Sequence, residues 1–187
     1  MNTSLASPGT ALPSSDSGHS MPQAGITPAA RLYSRTGIEE LIPHRGEILF
    51  LQQMTTHGDK HFTGVAHWDV DTMGLRGHFP RQAVVPAVFL VEAVAQLAGA
   101  GVLATRSTPE RDVPQVGVMM AIRRCSFRQV VHVNQPVELE VRTRQMGEQA
   151  VTCEGTVSRN GISIASIEVL IGEVALDVIL TDKEARP

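Results

Sequence analysis

The chain has 187 residues, 42% of them hydrophobic, and 16 Lys and Arg stand against 19 Asp and Glu for a net charge of −3. That length suits a single domain with a real core, and the charge balance excludes nucleic-acid binding through bulk electrostatics. Two cysteines, Cys125 and Cys153, have no metal-ligand spacing, so buried free thiols within strands are expected and no metal site is.

Residues 1–34 are rich in Ser, Pro, Gly, Thr and Ala without any period. Such a segment cannot bury enough surface to offset its ordering entropy, so a disordered tail is expected there. It lacks a basic region followed by an apolar one, which argues against a secretory leader and for a cytoplasmic chain. Thr36-Gly37-Ile38-Glu39 fits a capping box leading into Leu41 and Ile42, with Pro43 ending a short helix. Glu47–Thr56 and His61–Trp68 flank the polar turn His57-Gly58-Asp59-Lys60 and read as a hairpin. The histidines here, His57, His61 and His67, have no metal-like partners and are read as strand or surface residues.

A central helix starts after Pro86, a residue suited to a helix's first turn. Between Val88 and Ala104 its only polar side chains are Glu92 and Gln96, four residues apart and so on one face. A helix apolar on nearly every side must be buried. It is also about long enough to span a bilayer, but Pro86, Glu92, Gln96 and the β-patterned flanks favour a helix wrapped by a sheet. A carboxyl in that setting is costly unless protonated or paired, which is one way to hold a general acid in its protonated form. Fourteen residues upstream of Glu92 stands His78, a candidate base. The pair points to proton transfer on an apolar substrate.

The remainder reads as a meander. Val116–Ile122 and Cys125–Val131 are two apolar strand segments, and residues 137–144 alternate apolar with charged. Val151, Cys153, Gly155 and Val157 continue the alternation, and Asn160-Gly161 marks a tight turn. Ile162 and Ile164 are out of phase with Ile167, Val169 and Ile171, which requires a bulge near Ala165-Ser166. The expected class is α+β, an antiparallel sheet curled around one buried helix over residues 35–176, with 177–187 as a C-terminal tail.

Ile42-Pro43-His44-Arg45, Gly77-His78-Phe79-Pro80, Val85-Pro86 and Glu92-Ala93-Val94-Ala95-Gln96 occur in the order of the motifs of FabZ-type 3-hydroxyacyl-acyl-carrier-protein dehydratases. Ser126-Phe127-Arg128 with Val130-Val131 resembles the strand after the helix in that family. The resemblance covers residues 36–173 and implies a hot-dog fold, a homodimer with sites at its interface, and often a trimer of dimers. It implies that His78 removes the C2 proton of an acyl thioester and that Glu92 protonates the departing C3 hydroxyl. Ala87 occupies the oxyanion-donor position, Gln96 orients polar groups, and Phe79 adjoins the substrate. No cofactor is implied beyond the phosphopantetheine of the acyl carrier protein, which is the partner and carries the substrate. Arg123, Arg124 and Arg128 are candidates for docking that acidic carrier, whereas His44 and Arg45 read as structural, bonding the helix–strand corner.

The chain departs from the family pattern at several points. Arg81 and Ala87 stand where the family has glycines, Ala83 replaces a proline, and Asn134-Gln135 replaces a Gly-Asp turn. The methyl of Ala87 would narrow the approach to the thioester, or strain the backbone if the position needs positive φ. These changes suggest a divergent branch serving fatty-acid or polyketide-like synthesis. Two other functions fit a hot-dog chain, an acyl thioesterase and a non-catalytic acyl-carrier-binding subunit. The retained His78–Glu92 spacing favours the dehydratase.

Overall fold

The computed structural model describes Met1 and residues 29–72, 74–106, 115–147 and 149–176. The C-terminal tail and the N-terminal one as far as residue 28 lie outside the described residues. The last four residues assigned to the N-terminal tail do not belong to it. Arg31–Ser34 form a strand, β1, paired antiparallel with β2 (Leu51–Thr56). Backbone pairing to a sheet edge orders a segment that composition alone leaves unstructured.

Helix α1 (Arg35–Glu39) is capped by Ser34, whose hydroxyl accepts the Gly37 N–H at 3.3 Å. The cap is thus two residues earlier than the Thr36 box. Strand β3 (His61–Ala66) returns from β2 across the expected turn, closed by the His57 N–H on the His61 carbonyl at 2.8 Å. The hairpin is shorter than expected, because residues 46–48 form a 3-10 turn before β2 begins. Helix α2 (Ala87–Thr105) follows, then β4 (Gln115–Phe127), β5 (Val137–Gln145), β6 (Ala150–Arg159) and β7 (Ile162–Ala175).

The seven strands form one antiparallel sheet in the order β1-β2-β3-β5-β6-β7-β4. It curls around α2, which packs against every strand from β2 to β7. This is the α+β hot-dog arrangement. By length and composition α2 could cross a membrane, yet Leu90, Val94, Leu97, Ala98 and Ala100 are buried against the sheet. Strand β5 alternates buried and exposed residues from Val137 to Arg144, as its sequence dictates. Asn160 and Gly161 both have positive φ, the geometry of a two-residue hairpin turn. In the β6–β7 pairing the register slips by one between Val157↔Ala165 and Ser158↔Ser163. The extra residue is Ile164, next to the expected bulge, and it lets Ile164 and Ile167 both face the core.

Two expectations need correction here. The segments 116–122 and 125–131 are not two strands. One strand, β4, runs from Gln115 to Phe127 and absorbs the change of phase in two bulges, at Met119/Ala121 and Ile122/Arg124. Its thiol is also less buried than expected: Cys125 is half-buried, while Cys153 is fully buried and its thiol is pushed up to about 12 by burial.

Close approach of helix to sheet depends on two missing side chains. A Cβ at Gly101 would lie 2.3 Å from the buried Phe62 ring, and one at Gly155 would lie 2.5 Å from Val94. By contrast, a Cβ at Gly99 meets nothing within 4 Å. Gly101→Ala should therefore cost about 1–3 kcal/mol by overpacking despite the gain in helix propensity. Gly99→Ala, on the same helix, should be neutral or stabilising by up to about 1 kcal/mol. Denaturant unfolding of the two variants checks the opposite signs.

Candidate active site

His78 ends a 3-10 turn (Leu75–Gly77), and its Nδ1 lies 2.9 Å from the Val84 carbonyl oxygen. A carbonyl can only accept, so in the neutral ring Nδ1 carries the hydrogen and Nε2 keeps a free lone pair. That is the tautomer a base requires. Residues 83–85 are in turn fastened to the segment after β4. Val85 N–H donates to the Val131 carbonyl at 2.8 Å, and Val84 bridges His132. Phe79 stacks edge-on against His78 at 4.7 Å, is 63% exposed, and has φ of 57°. A large side chain held in the left-handed region is strained, and such strain persists only where the surroundings impose it.

Glu92 projects from α2 onto a pocket lined by the 42–44 segment, α2, β4 and β7. Its Oε1 accepts from Gln96 Nε2 at 2.9 Å and lies 3.2 Å from His44 Nε2. The carboxyl was expected to be held protonated by its apolar surroundings, but it lies below its ordinary value. The hydrogen bond with His44 is the main cause; burial opposes it, and the Gln96 hydrogen bond and the attraction of His44 add to it. Periodicity revealed the apolar helix but not the donors that arrive from 42–50. His44, read as a structural corner residue, is therefore a neighbour of the acid. Arg45 does bond the corner, through the Ile42 and His44 carbonyls.

Gln96 is buried and fully engaged. Its oxygen accepts the Phe50 N–H at 3.0 Å, and its amide nitrogen donates to the Ile48 carbonyl at 2.7 Å as well as to Glu92. It fastens α2 to the entry of β2 while presenting a donor to the carboxylate. Ala87 is the first residue of α2 and is exposed; Pro86 precedes it and no side chain caps the helix start. The N–H groups there have no intrahelical acceptor. Ala87 is absent from the positive-φ residues, so its methyl does not strain the backbone. Asn134, in place of the family's glycine, has φ of 62° and donates its N–H to the Trp68 carbonyl, a conformation asparagine tolerates.

Among the described residues, no contact joins His78 to Glu92 within one chain, and His78 does not line the pocket on which Glu92 opens. Arg123, Arg124 and Arg128 are all exposed along the end of β4, with Arg128 donating to Ser166 Oγ at 3.0 Å.

Replacing Gln96 by leucine leaves the buried Phe50 N–H and the part-buried Ile48 carbonyl without their partners, and loss of a buried partner costs about 1–3 kcal/mol. Gln96→Leu should lower unfolding stability by at least about 2 kcal/mol in denaturant melts, whereas a side chain that merely lined a pocket would leave it unchanged.

A FabA-like domain model matches residues 42–168, the span that carries both Glu92 and His78. The chain is 30% identical over 145 residues to the 3-hydroxyacyl-[acyl-carrier-protein] dehydratase FabZ of Bacillus pumilus, covering 77% of this chain and 90% of that one. It is 29% identical over 145 residues to the FabZ of Bacillus subtilis, covering 77% and 92%. Among solved structures, the dehydratase heterocomplex ApeI:P from Xenorhabdus doucetiae superposes with a TM-score of 0.64 at 17% identity, over 78% of this chain and 97% of that one. The fluoroacetyl-CoA thioesterase FlK gives 0.56 at 12% identity, over 70% and 97%. These two likenesses establish the hot-dog fold. The family model and the extended similarity to the FabZ enzymes together establish more: the chain belongs to the FabA-like family, as a divergent relative of its FabZ dehydratases.

Proposed function

We propose that the chain dehydrates 3-hydroxyacyl thioesters carried on acyl carrier protein, giving trans-2-enoyl thioesters. The observation that carries this reading is the sole acid of a buried helix, Glu92, opening on an apolar-walled pocket in a chain of this family. His78 Nε2 removes the C2 proton, which the thioester acidifies. The enolate oxygen that develops is met by the uncapped N–H groups at the start of α2, with Ala87 as donor. Glu92 protonates the C3 hydroxyl, the C3–O bond breaks, and water leaves. Phe79, exposed beside His78, supplies apolar contact to the acyl chain. The chemistry is acid–base elimination and calls for no cofactor beyond the pantetheine arm that brings the substrate.

Because His78 and Glu92 do not meet within one chain, the reading places them together across a homodimer. Strand β4 suits that contact: it is a thirteen-residue sheet edge with Val118, Met120 and Ile122 exposed, and unpaired apolar edges seek a partner. Pairing of β4 with its copy about a two-fold axis makes two equivalent sites, and three such dimers make the hexamer of the wider proposal. The exposed Arg123, Arg124 and Arg128 lie on the same strand or just beyond it and would receive the acidic carrier protein. The free thiols Cys125 and Cys153 suit the reducing cytoplasm.

Incubation with 3-hydroxyacyl-carrier protein, read by intact mass, tests the reaction. Loss of one water supports it, loss of the acyl group makes the chain a thioesterase, and an unchanged mass makes it a binding subunit. His78→Ala and Glu92→Gln should each lower turnover by at least about a hundredfold. Refolded together as a mixture, the two dead variants should regain about a quarter of wild-type activity, because half the dimers are mixed and one site in each is intact. If both residues came from one chain, the mixture would stay inactive.

Charge reversal of the docking face gives a separate expectation. The Arg123→Glu/Arg124→Glu double variant should raise KM for the carrier-bound substrate about tenfold or more and leave a pantetheine-thioester substrate unaffected. Equal effects on both substrates would remove the docking role.

A further inference from the structure

The two carboxyl oxygens of Glu92 are unequally held. Oε1 is approached by both Gln96 Nε2 and His44 Nε2, whereas Oε2 has no hydrogen-bond partner among the described residues. Gln96 cannot turn its oxygen toward the acid, since that oxygen holds the Phe50 N–H. It can only donate. His44 is bonded through Nε2 alone, and its Nδ1 is buried without a partner. A hydrogen on Nδ1 would be a buried donor with no acceptor, which is costly, so the ring carries its hydrogen on Nε2 and directs it at Oε1. No other wall of the pocket competes. The 42–44 segment adds only Ile42 and Pro43, β4 adds Gly117, Val118 and Met119, and β7 adds Ile171, none charged or titratable.

We propose that His44 is a positioning residue for the acid: as an Nε2–H donor it pins Oε1 of Glu92 and leaves Oε2 as the oxygen that delivers the proton. This rests on the dehydratase reading and gives work to a residue that reading leaves idle. In the step itself the Oε2–H bond breaks and its proton goes to the C3 hydroxyl oxygen. The C3–O bond breaks with its electron pair leaving as water. The C2–H electrons become the C2=C3 double bond, and His78 holds the C2 proton. The charge left on Glu92 is met at once by two donors already in place, which is stabilisation that grows as the transition state forms. His44 donates its hydrogen bond throughout and supplies no proton.

The same two donors favour the charged carboxyl, in keeping with its lowered pKa. Removing His44 leaves burial opposed by one donor fewer, so the Glu92 pKa should rise. The reaction needs Glu92 protonated, and its rate therefore falls as pH rises through that pKa. Without His44 this fall should move to higher pH, while the ceiling drops because the carboxyl is no longer oriented. A purely structural residue would lower the ceiling and leave the limb where it was.

Three readouts on the full-length protein test this. Histidine 15N spectra, with His44 assigned by the loss of its signals in His44→Phe, should show hydrogen on Nε2. Carboxyl-13C titration, with Glu92 assigned by the loss of its signal in Glu92→Gln, should show a higher pKa in His44→Phe than in wild type. The high-pH limb of kcat/KM should move the same way, with kcat down tenfold or more. His44→Gln, which keeps a neutral donor, should restore part of both shifts. A wild-type ring without hydrogen on Nε2, an unmoved Glu92 titration in His44→Phe, or a glutamine variant no better than phenylalanine would each overturn the proposal. The wild-type 15N spectrum decides even if the variants fail to fold. Failure of the dehydratase reading appears separately, as a wild type that removes no water, while the two spectroscopic readouts still judge the pair.

Discussion

Everything in this molecule depends on burying one helix that has almost no polar side. A segment such as α2 gains its stability from burial and cannot sit on a surface with one face in water. The sheet must therefore curl far enough to meet it from β2 round to β4, and the two must come close enough to exclude voids. Glycines at 101 and 155 permit the approach, and the bulges in β4 and β7 supply the curvature. Once the helix is enclosed, any polar group on it has to be answered from neighbouring chain. Gln96 is answered by the backbone of residues 48 and 50, and Glu92 by Gln96 and His44.

That requirement explains why Glu92 and His78 have such different settings. His78 belongs to a loop, and its orientation comes from one carbonyl. The acid belongs to the rigid core, and its orientation comes from side chains anchored at several points. Reactive groups on packed elements are held more tightly than those on loops. In this chain the loop is compensated by its attachment to residues 131–133.

Much of this was legible in the sequence, for reasons that differ by element. Strand β5 announced itself because alternation of apolar and charged residues has one physical meaning on a half-buried sheet. The helix announced itself because a nearly unbroken apolar run needs an enclosure, and Glu92 and Gln96 were visible as the only polar side chains between Val88 and Ala104. The bulge in β7 could be read from a break of phase. What stayed hidden depended on long-range contact. β1 forms because β2 offers a free edge, and its own four residues carry no signal of it. β4 looked like two strands because bulges reset its alternation. The environment of Glu92 was misjudged because the helix alone suggests desolvation, whereas the decisive donors come from 44 and 96, one of them about fifty residues distant in the chain. The motif order marked His44 as noteworthy, but nothing local tied it to the acid.

The tie between His78 and the Val84 carbonyl reaches further than the site. Val84 bridges His132, and two residues on Asn134 turns the chain in a left-handed conformation anchored to Trp68. The direction of the His78 ring is thus inherited from a turn on the far side of the loop. Substitutions tolerated at that turn are limited by more than its own fold. A residue that cannot hold positive φ would slacken the 131–133 segment, let the Val84 carbonyl drift, and turn the His78 imidazole from its present direction. Drift in sequence at such a corner is therefore felt both in the turn and in the direction of the imidazole, and an asparagine in place of glycine is the kind of change that keeps both intact.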